Sequence, residues 1–351
     1  MSYIFCWKFP FIKKQTFVWN GFPVEVQQHI AEYLTPKDKA NLSLTCKKNY
    51  DIVKSVPNKI HCLQFSPIRY NAQFAEVIVH YDEERRNSEG FYFDKQGHTS
   101  YLKVTKKIDG KESVVSSRAL KSDYREMADA CFQGWITGST VHTLDIRGEY
   151  TGKLPTFLAG LVNISFNDKY KRTASAIPAW LDVIEMGAIN FILMSDHWDQ
   201  ILSHRHFADP RTTCKLTGYD GIGHECLGSL NCRRIELNNI RDEKSFNVLV
   251  KKWAIGGYPN TFEQLVVTTA TRPLITERLL EEIKVQSLNG SMFEESEIGA
   301  EYFLVFGGDG KYGLFCGINR YARFTVIDQQ IVDEIPSLAI YFPRVWKPGQ
   351  F

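Results

Sequence analysis

The residues best suited to chemistry crowd into one short stretch: Asp196-His197-Trp198-Asp199, then His204-Arg205-His206 and Asp209. Two histidines two positions apart, or a carboxylate one helical turn from a histidine, are side chains that zinc takes as ligands. Their spacing matches no closed four-ligand set. The same residues read as a surface helix over 195–203 with Trp198, Ile201 and Leu202 turned inward. Two glycine-rich runs raise phosphate binding. Gly307-Gly308-Asp309-Gly310-Lys311-Tyr312-Gly313 lacks the Gly-Lys-Ser/Thr ending and the following helix that would align backbone N–H groups on a phosphate, so it predicts a hairpin turn. Gly218-Tyr219-Asp220-Gly221-Ile222-Gly223 predicts a loop between repeated elements. No Gly-x-Ser-x-Gly nucleophile turn is present. The reading is therefore non-enzymatic: no catalytic residue, no metal ligand and no cofactor site.

The elements around these residues belong to a globular chain. It has 351 residues, 44% of them hydrophobic, which is enough for a sizeable core and two or three domains. Forty-two basic residues nearly balance 40 acidic ones, and the net charge of +2 provides no broad field for nucleic acid or an anionic membrane. Basic doublets such as Lys13-Lys14, Lys106-Lys107 and Lys251-Lys252 read as solvated surface. The eight cysteines form no C-x-x-C pair, and reduced thiols in the cytosol or nucleus are expected. Lys8 interrupts the apolar run Ile4-Phe5-Cys6-Trp7, so no signal peptide is expected, and no apolar stretch approaches the ~20 residues of a membrane span.

Between residues 22 and 50 the pattern is helical. Val26, Ile30, Tyr33 and Leu34 fall at i, i+4, i+7 and i+8, one stripe of a helix that needs a partner surface. Pro23 suits the helix start, and Thr35-Pro36-Lys37-Asp38 is a second start signal, with Thr35 as cap. Leu42, Leu44 and Cys46 add apolar surface, and Asn49, Tyr50, Ile52 and Val53 predict a third short helix ending before Pro57. A unit of ~40 residues buries too small a fraction of its surface to stand comfortably alone.

This segment, with Phe22-Pro23 followed by Glu25-Val26, then Thr35-Pro36-Lys37-Asp38, then Leu42-Ser43-Leu44-Thr45-Cys46-Lys47-Lys48, resembles an F-box. It departs from the family pattern at Lys39, where Leu is usual, and at Asn49, where a bulky side chain is usual. The resemblance, not the periodicity, implies a function. The chain would be a substrate-receptor subunit of an SCF-type (Skp1-cullin-F-box) ubiquitin ligase, acting by proximity. Skp1 would be gripped by Phe22, Pro23, Glu25, Val26, Ile30, Leu34, Pro36, Leu42, Leu44, Cys46 and Tyr50. The partners are then a Skp1-like adaptor, through it a cullin, and an unidentified target protein, with neither nucleic acid nor membrane and a cytoplasmic or nuclear location. The alternative is a repeat-based interaction module acting outside a ubiquitin ligase.

After Pro57 the spacing changes to alternation. Ala75–Tyr81, Gly90–Phe93 and Ser100–Val104, separated by turn residues at Asn87–Gly90, Gln96-Gly97 and Asp109-Gly110, predict a β-meander over 60–117. From Lys121 helix and strand alternate. A helix closed by Trp135-x-x-Gly138 recurs 118 residues later at Trp253-x-x-Gly256, each followed by a strand, and reads as an internal repeat. This arrangement resembles the F-box-associated regions of nematode-expanded families. Between the copies, windows of the leucine-rich-repeat strand type lie at Val141/Leu144/Ile146, Leu161/Ile164/Phe166, Ile189/Ile192/Met194, Thr213/Leu216, Cys232/Ile235/Leu237 and Phe262/Leu265/Val267. Their starts are 20, 28, 24, 19 and 30 residues apart. The expected fold is α+β: a three-helix F-box (17–56), the meander, then an irregular leucine-rich-repeat-like α/β solenoid with a C-terminal β-hairpin region (121–351). The hairpin region could pair with the meander or cap the solenoid. Side chains on the open strand face, chiefly His142, Arg147, Asn163, Arg234, Glu236 and Glu263, are the expected target-binding set.

Overall fold

A computed structural model describes residues 4–5, 17–34, 36–67, 73–167, 176–195, 198–288 and 300–328. The chain is α+β and divides into two compact units, residues 1–63 with 73–142, and 64–72 with 143–351. Thr35, the side chain of Pro36, and Asp196 and His197 lie outside the described residues, so the cap at Thr35 and the Asp196-His197 end of the histidine cluster have no structural account.

The first unit opens with a short antiparallel pair, β1 (Ile4–Phe5) and β2 (Phe17–Val18), followed by α1 (Val24–Glu32), α2 (Pro36–Ser43) and α3 (Lys47–Ser55). Pro23 occupies the N-cap of α1, one residue before the position that suits its ring best. The inward side of α1 is Gln27 and Ala31, not the apolar stripe. Ala31 packs with Ile52 and Val56 of the third helix region, and Trp19 and Leu34 lean on that cluster.

Strand β3 (Asn58–Ser66) leads to β4 (Phe74–His80), β5 (Ser88–Gln96), β6 (Thr99–Ile108) and β7 (Lys111–Leu120), each of the last four antiparallel to its predecessor or successor in an unbroken meander. The β6–β7 turn places Asp109 and Gly110 at φ 50° and 82°, the left-handed pair that a two-residue hairpin demands. The turn expected at 87–90 sits earlier, where Asp82 accepts hydrogen bonds from the backbone N–H of Arg86 (2.8 Å) and Asn87 (2.7 Å). Gly90 serves packing instead: a Cβ there would lie 2.7 Å from the Tyr92 ring and 2.8 Å from Thr105 Oγ1. Helix α4 (Tyr124–Thr137) starts at Asp123, whose carboxylate accepts from the Arg125 N–H (2.8 Å), and buries Ala128, Phe132 and Ile136. β8 (Ser139–Ile146) follows.

In the second unit, the end of β8 pairs with β9 (Asn163–Asn167), and β10 (Asn190–Met194), β11 (Thr213–Ile222), β12 (Arg234–Ile240) and β13 (Gln264–Thr268) follow side by side in chain order, all parallel. The connections carry α5 (Ala176–Val183), α6 (Trp198–Leu202) and α7 (Lys244–Ala254). Register stacks Leu144, Ile164, Phe191, Cys214, Ile235 and Leu265 in one row, and Ile146, Phe166, Leu193, Leu216, Leu237 and Val267 in the next; every member is buried. These two rows are the core seam that the windows anticipated, with two corrections. The third window is slipped by one residue: Phe191 and Leu193 face inward and Ile192 outward. The fourth is occupied by Cys214 and Leu216, with Thr213 outside. In strands a one-residue slip exchanges faces, and the apolar run Phe191-Ile192-Leu193-Met194 holds no alternation to prevent it.

The Gly218–Gly223 run is strand, not loop. It forms the end of β11, where the register shifts between Thr217 and Ile222, and Gly221 takes φ 87°. After α8 (Thr276–Leu279) and β14 (Val285–Ser287), β15 (Glu301–Phe306), β16 (Tyr312–Ile318) and β17 (Tyr321–Ile327) form an antiparallel set. β17 pairs antiparallel with β13, so these strands close the parallel array and the sheet of this unit is mixed. The glycines at 307–310 make the turn between β15 and β16, with a strand rather than a helix after it.

Candidate protein-interaction surfaces

The first surface comes from how α1 is rotated. Because Gln27 and Ala31 face the neighbouring helices, Val24, Val26 and Tyr33 are left outside, and Tyr33 is 75% exposed. Leu44, after α2, is 85% exposed, Tyr50 on α3 is half exposed, and Pro23, Glu25 and Cys46 are exposed too. Phe22 and Ile30 are half-buried, Leu34 leans on the internal cluster and Leu42 is buried, so Leu42 supports the surface without being part of it. Five large apolar or aromatic side chains of this short domain, Val24, Val26, Tyr33, Leu44 and Tyr50, are exposed. Val24 and Tyr33 are exposed although neither is in the expected set; Tyr33 was part of the helical stripe, and Val24 was not.

The two departures from the family pattern turn inward. Lys39 is 3% exposed, and its ammonium donates to the carbonyls of Val56 (3.3 Å) and Pro57 (2.9 Å). Burial, with Lys59 adding to it, holds its pKa below the ordinary lysine value. Asn49 accepts from Trp19 Nε1 (2.9 Å) and donates to Thr45 Oγ1 (2.6 Å), while Gln27 Nε2 donates to the Trp19 carbonyl (2.6 Å). Polar groups thus tie the residues before α1 to α3 from within.

Comparison with known families matches residues 19–61 to the F-box domain. This segment is an F-box domain. No curated protein and no solved structure was found to match the chain. F-box domains are non-catalytic adaptors that bind Skp1 and through it a cullin; in this one Val24, Val26, Tyr33, Leu44 and Tyr50 are exposed.

The second surface lies in the other unit, on the strand face opposite the core rows. Register aligns Thr143, Asn163, Asn190, Thr213, Arg234 and Gln264, then Asp145, Ser165, Ile192, Lys215, Glu236 and Val266. The side chains bond across strands. Asn190 Nδ2 donates to Asn163 Oδ1 (2.9 Å), Lys215 pairs with Glu236 (2.7 Å), and Thr268 Oγ1 donates to Asn238 Oδ1 (3.0 Å). Glu263 bridges Arg233 and Arg234; burial works to raise its pKa, and the two guanidiniums outweigh it, leaving the carboxyl below its ordinary value. Of the expected target-binding residues, Arg234, Glu236 and Glu263 therefore come together, and Asn163 lies in the same row as Arg234. Arg147 is just past β8, bonded to Asp145 at 3.0 and 2.7 Å. His142 belongs to the first unit, stacked on His61 at 4.8 Å. Asn190 and Lys215 stand on this same face, at positions that the third and fourth windows already left outside their apolar pattern.

The described part of the histidine cluster is structural. His206 is fully buried with Nε2 3.1 Å from the Leu181 carbonyl, and burial lowers its pKa. His204 meets Asp182 at 3.1 Å, and Asp209 is held by Arg211 at 2.7 Å, which keeps its carboxyl below the ordinary range. Among the described residues no group of three or more His, Cys, Asp or Glu side chains could hold a metal ion, and no helix is long and apolar enough to cross a membrane.

Proposed function

We infer that the chain is the substrate-receptor subunit of an SCF-type ubiquitin ligase, with residues 17–56 recruiting Skp1 and the 121–351 region binding a target protein, the 60–117 meander joining them in sequence. The observation that carries the first half is the outward apolar set of the F-box, Val24, Val26, Tyr33, Leu44 and Tyr50, which stays in water unless a partner covers it. Parallel strands following one another in chain order support reading the C-terminal region as repeat-like, of the leucine-rich type and akin to F-box-associated regions, with the polar strand face as receptor surface. The ligase chemistry then resides in other subunits, and this chain raises the local concentration of its target.

Co-purification with Skp1 tests the adaptor half. Val26→Asp with Leu44→Asp should abolish recovery while leaving the unfolding transition nearly unchanged, because both side chains are already exposed. Equal recovery of Skp1 by the wild type and the double variant would overturn the proposal.

A further inference from the structure

β7 is the last strand of the first unit's meander, bonded to β6 on one side and, among the described residues, to no strand on the other. Residues 111 through 119 are all exposed, on both faces, including Val114 and Val115 at 59% and 61%. Such an edge leaves alternate N–H and C=O groups directed at solvent over ten residues, a ready template for another strand. Val115 is the extra residue of a bulge, since Val114 pairs with Thr105 and Ser116 with Val104.

Charge says what the template fits. Residues 99–121 carry Lys103, Lys106, Lys107, Lys111, Arg118 and Lys121 against only Asp109 and Glu112, in a chain whose net charge is +2. Lys106 already pairs with Glu89 at 3.6 Å; among the described residues neither Lys111 nor Arg118 has an ion pair. A second copy of this edge would bring two net-basic hairpins together, which disfavours self-pairing relative to an acidic strand. We propose that β7 is a docking edge for an extended acidic peptide segment of a partner protein. That segment adds as a further strand: its backbone completes the ladder and its carboxylates face the lysines and arginine of the β6–β7 hairpin. The site is independent of Skp1 recruitment and of the polar strand face.

The test uses the full chain and a fluorescein-labelled peptide of alternating Glu and Val, read by anisotropy, with hydrogen exchange followed along residues 111–120. Saturable binding with new protection of β7 amides is expected. Lys111→Glu with Arg118→Glu should weaken binding by about tenfold, since exposed charges contribute modestly at close range. A peptide of the same charge with proline at alternate positions should not bind, because it cannot donate to the ladder. No binding at about millimolar peptide, undiminished binding by the folded double variant, or unchanged β7 exchange would overturn the proposal. So would equal binding of the proline peptide or of single-stranded DNA, since either means a charge patch without strand addition.

Discussion

Lys39 and Asn49 break the F-box pattern because they do a different job from the residues they replace. Each is buried and each is satisfied by a partner inside the domain, so their effect is on how the helices are held and only through that on docking. Asn49→Ala should lower the stability of the F-box by about 1–3 kcal/mol, since it strands the buried Trp19 N–H and removes the bond to Thr45. Urea unfolding followed by the Trp19 signal checks this. Asp209 gives a pH test. Its folded pKa is lowered, first by the hydrogen bonds from Arg211, so its stabilisation is complete above the unfolded carboxylate pKa of about 3.9 and is lost as pH falls through the lower folded value. Asp209→Asn should therefore flatten the acid limb of a melting-temperature profile below pH ~4 and leave its alkaline limb alone. Neither internal bond network was legible in the sequence, because a short-range pattern says which residues are polar and not which of them meet.

At the scale of elements, periodicity located helices and strands well and assigned their faces less well. The stripe on α1 is split: Val26 and Tyr33 face outward, Ile30 is half-buried and Leu34 leans on the internal cluster. Gln27, fixed by the Trp19 carbonyl, and the small Ala31 allow closer packing against the other helices than Val26 or Tyr33 would. The helical spacing of Tyr124, Met127, Ala128, Cys131 and Trp135 points to one face of α4, but the buried apolar residues are Ala128, Phe132 and Ile136, and Trp135 meets Phe91 at 6.1 Å. The recurring Trp-x-x-Gly ending has two surroundings, since Trp253 packs edge-on against Phe324 at 4.8 Å. The irregular end of β11 depends on Gly221. A Cβ there would lie 2.7 Å from Arg241 Cγ at a φ of 87°, so Gly221→Ala should destabilise the second unit by about 1–3 kcal/mol, where the same change at Gly134 in α4 should be neutral or stabilising. Thermal melts of the two variants side by side measure the contrast.

For the whole molecule, the proposed division of labour predicts separable losses. Arg233→Glu with Arg234→Glu breaks both bridges to Glu263 on the strand face and should reduce target capture while Skp1 recovery stays at the wild-type level. Cross-linking followed by mass spectrometry of co-purified proteins checks it, and simultaneous loss of both partners would count against separate surfaces. Residues 22–50 were enough to mark an F-box, because helix starts, turn prolines and apolar spacing are local and survive in a string of letters. The α+β character and the six strands from β8 to β13 were likewise legible, since burial of one strand face leaves a period in the sequence. What only the tertiary structure decided was direction and partnership: which side of α1 stays in water, that Ile192 looks outward, that β17 closes the array on β13, and that Lys39 and Asn49 point into the domain. These depend on contacts between residues far apart in the chain, and such contacts are chosen by packing and hydrogen-bond satisfaction in three dimensions rather than by any local pattern.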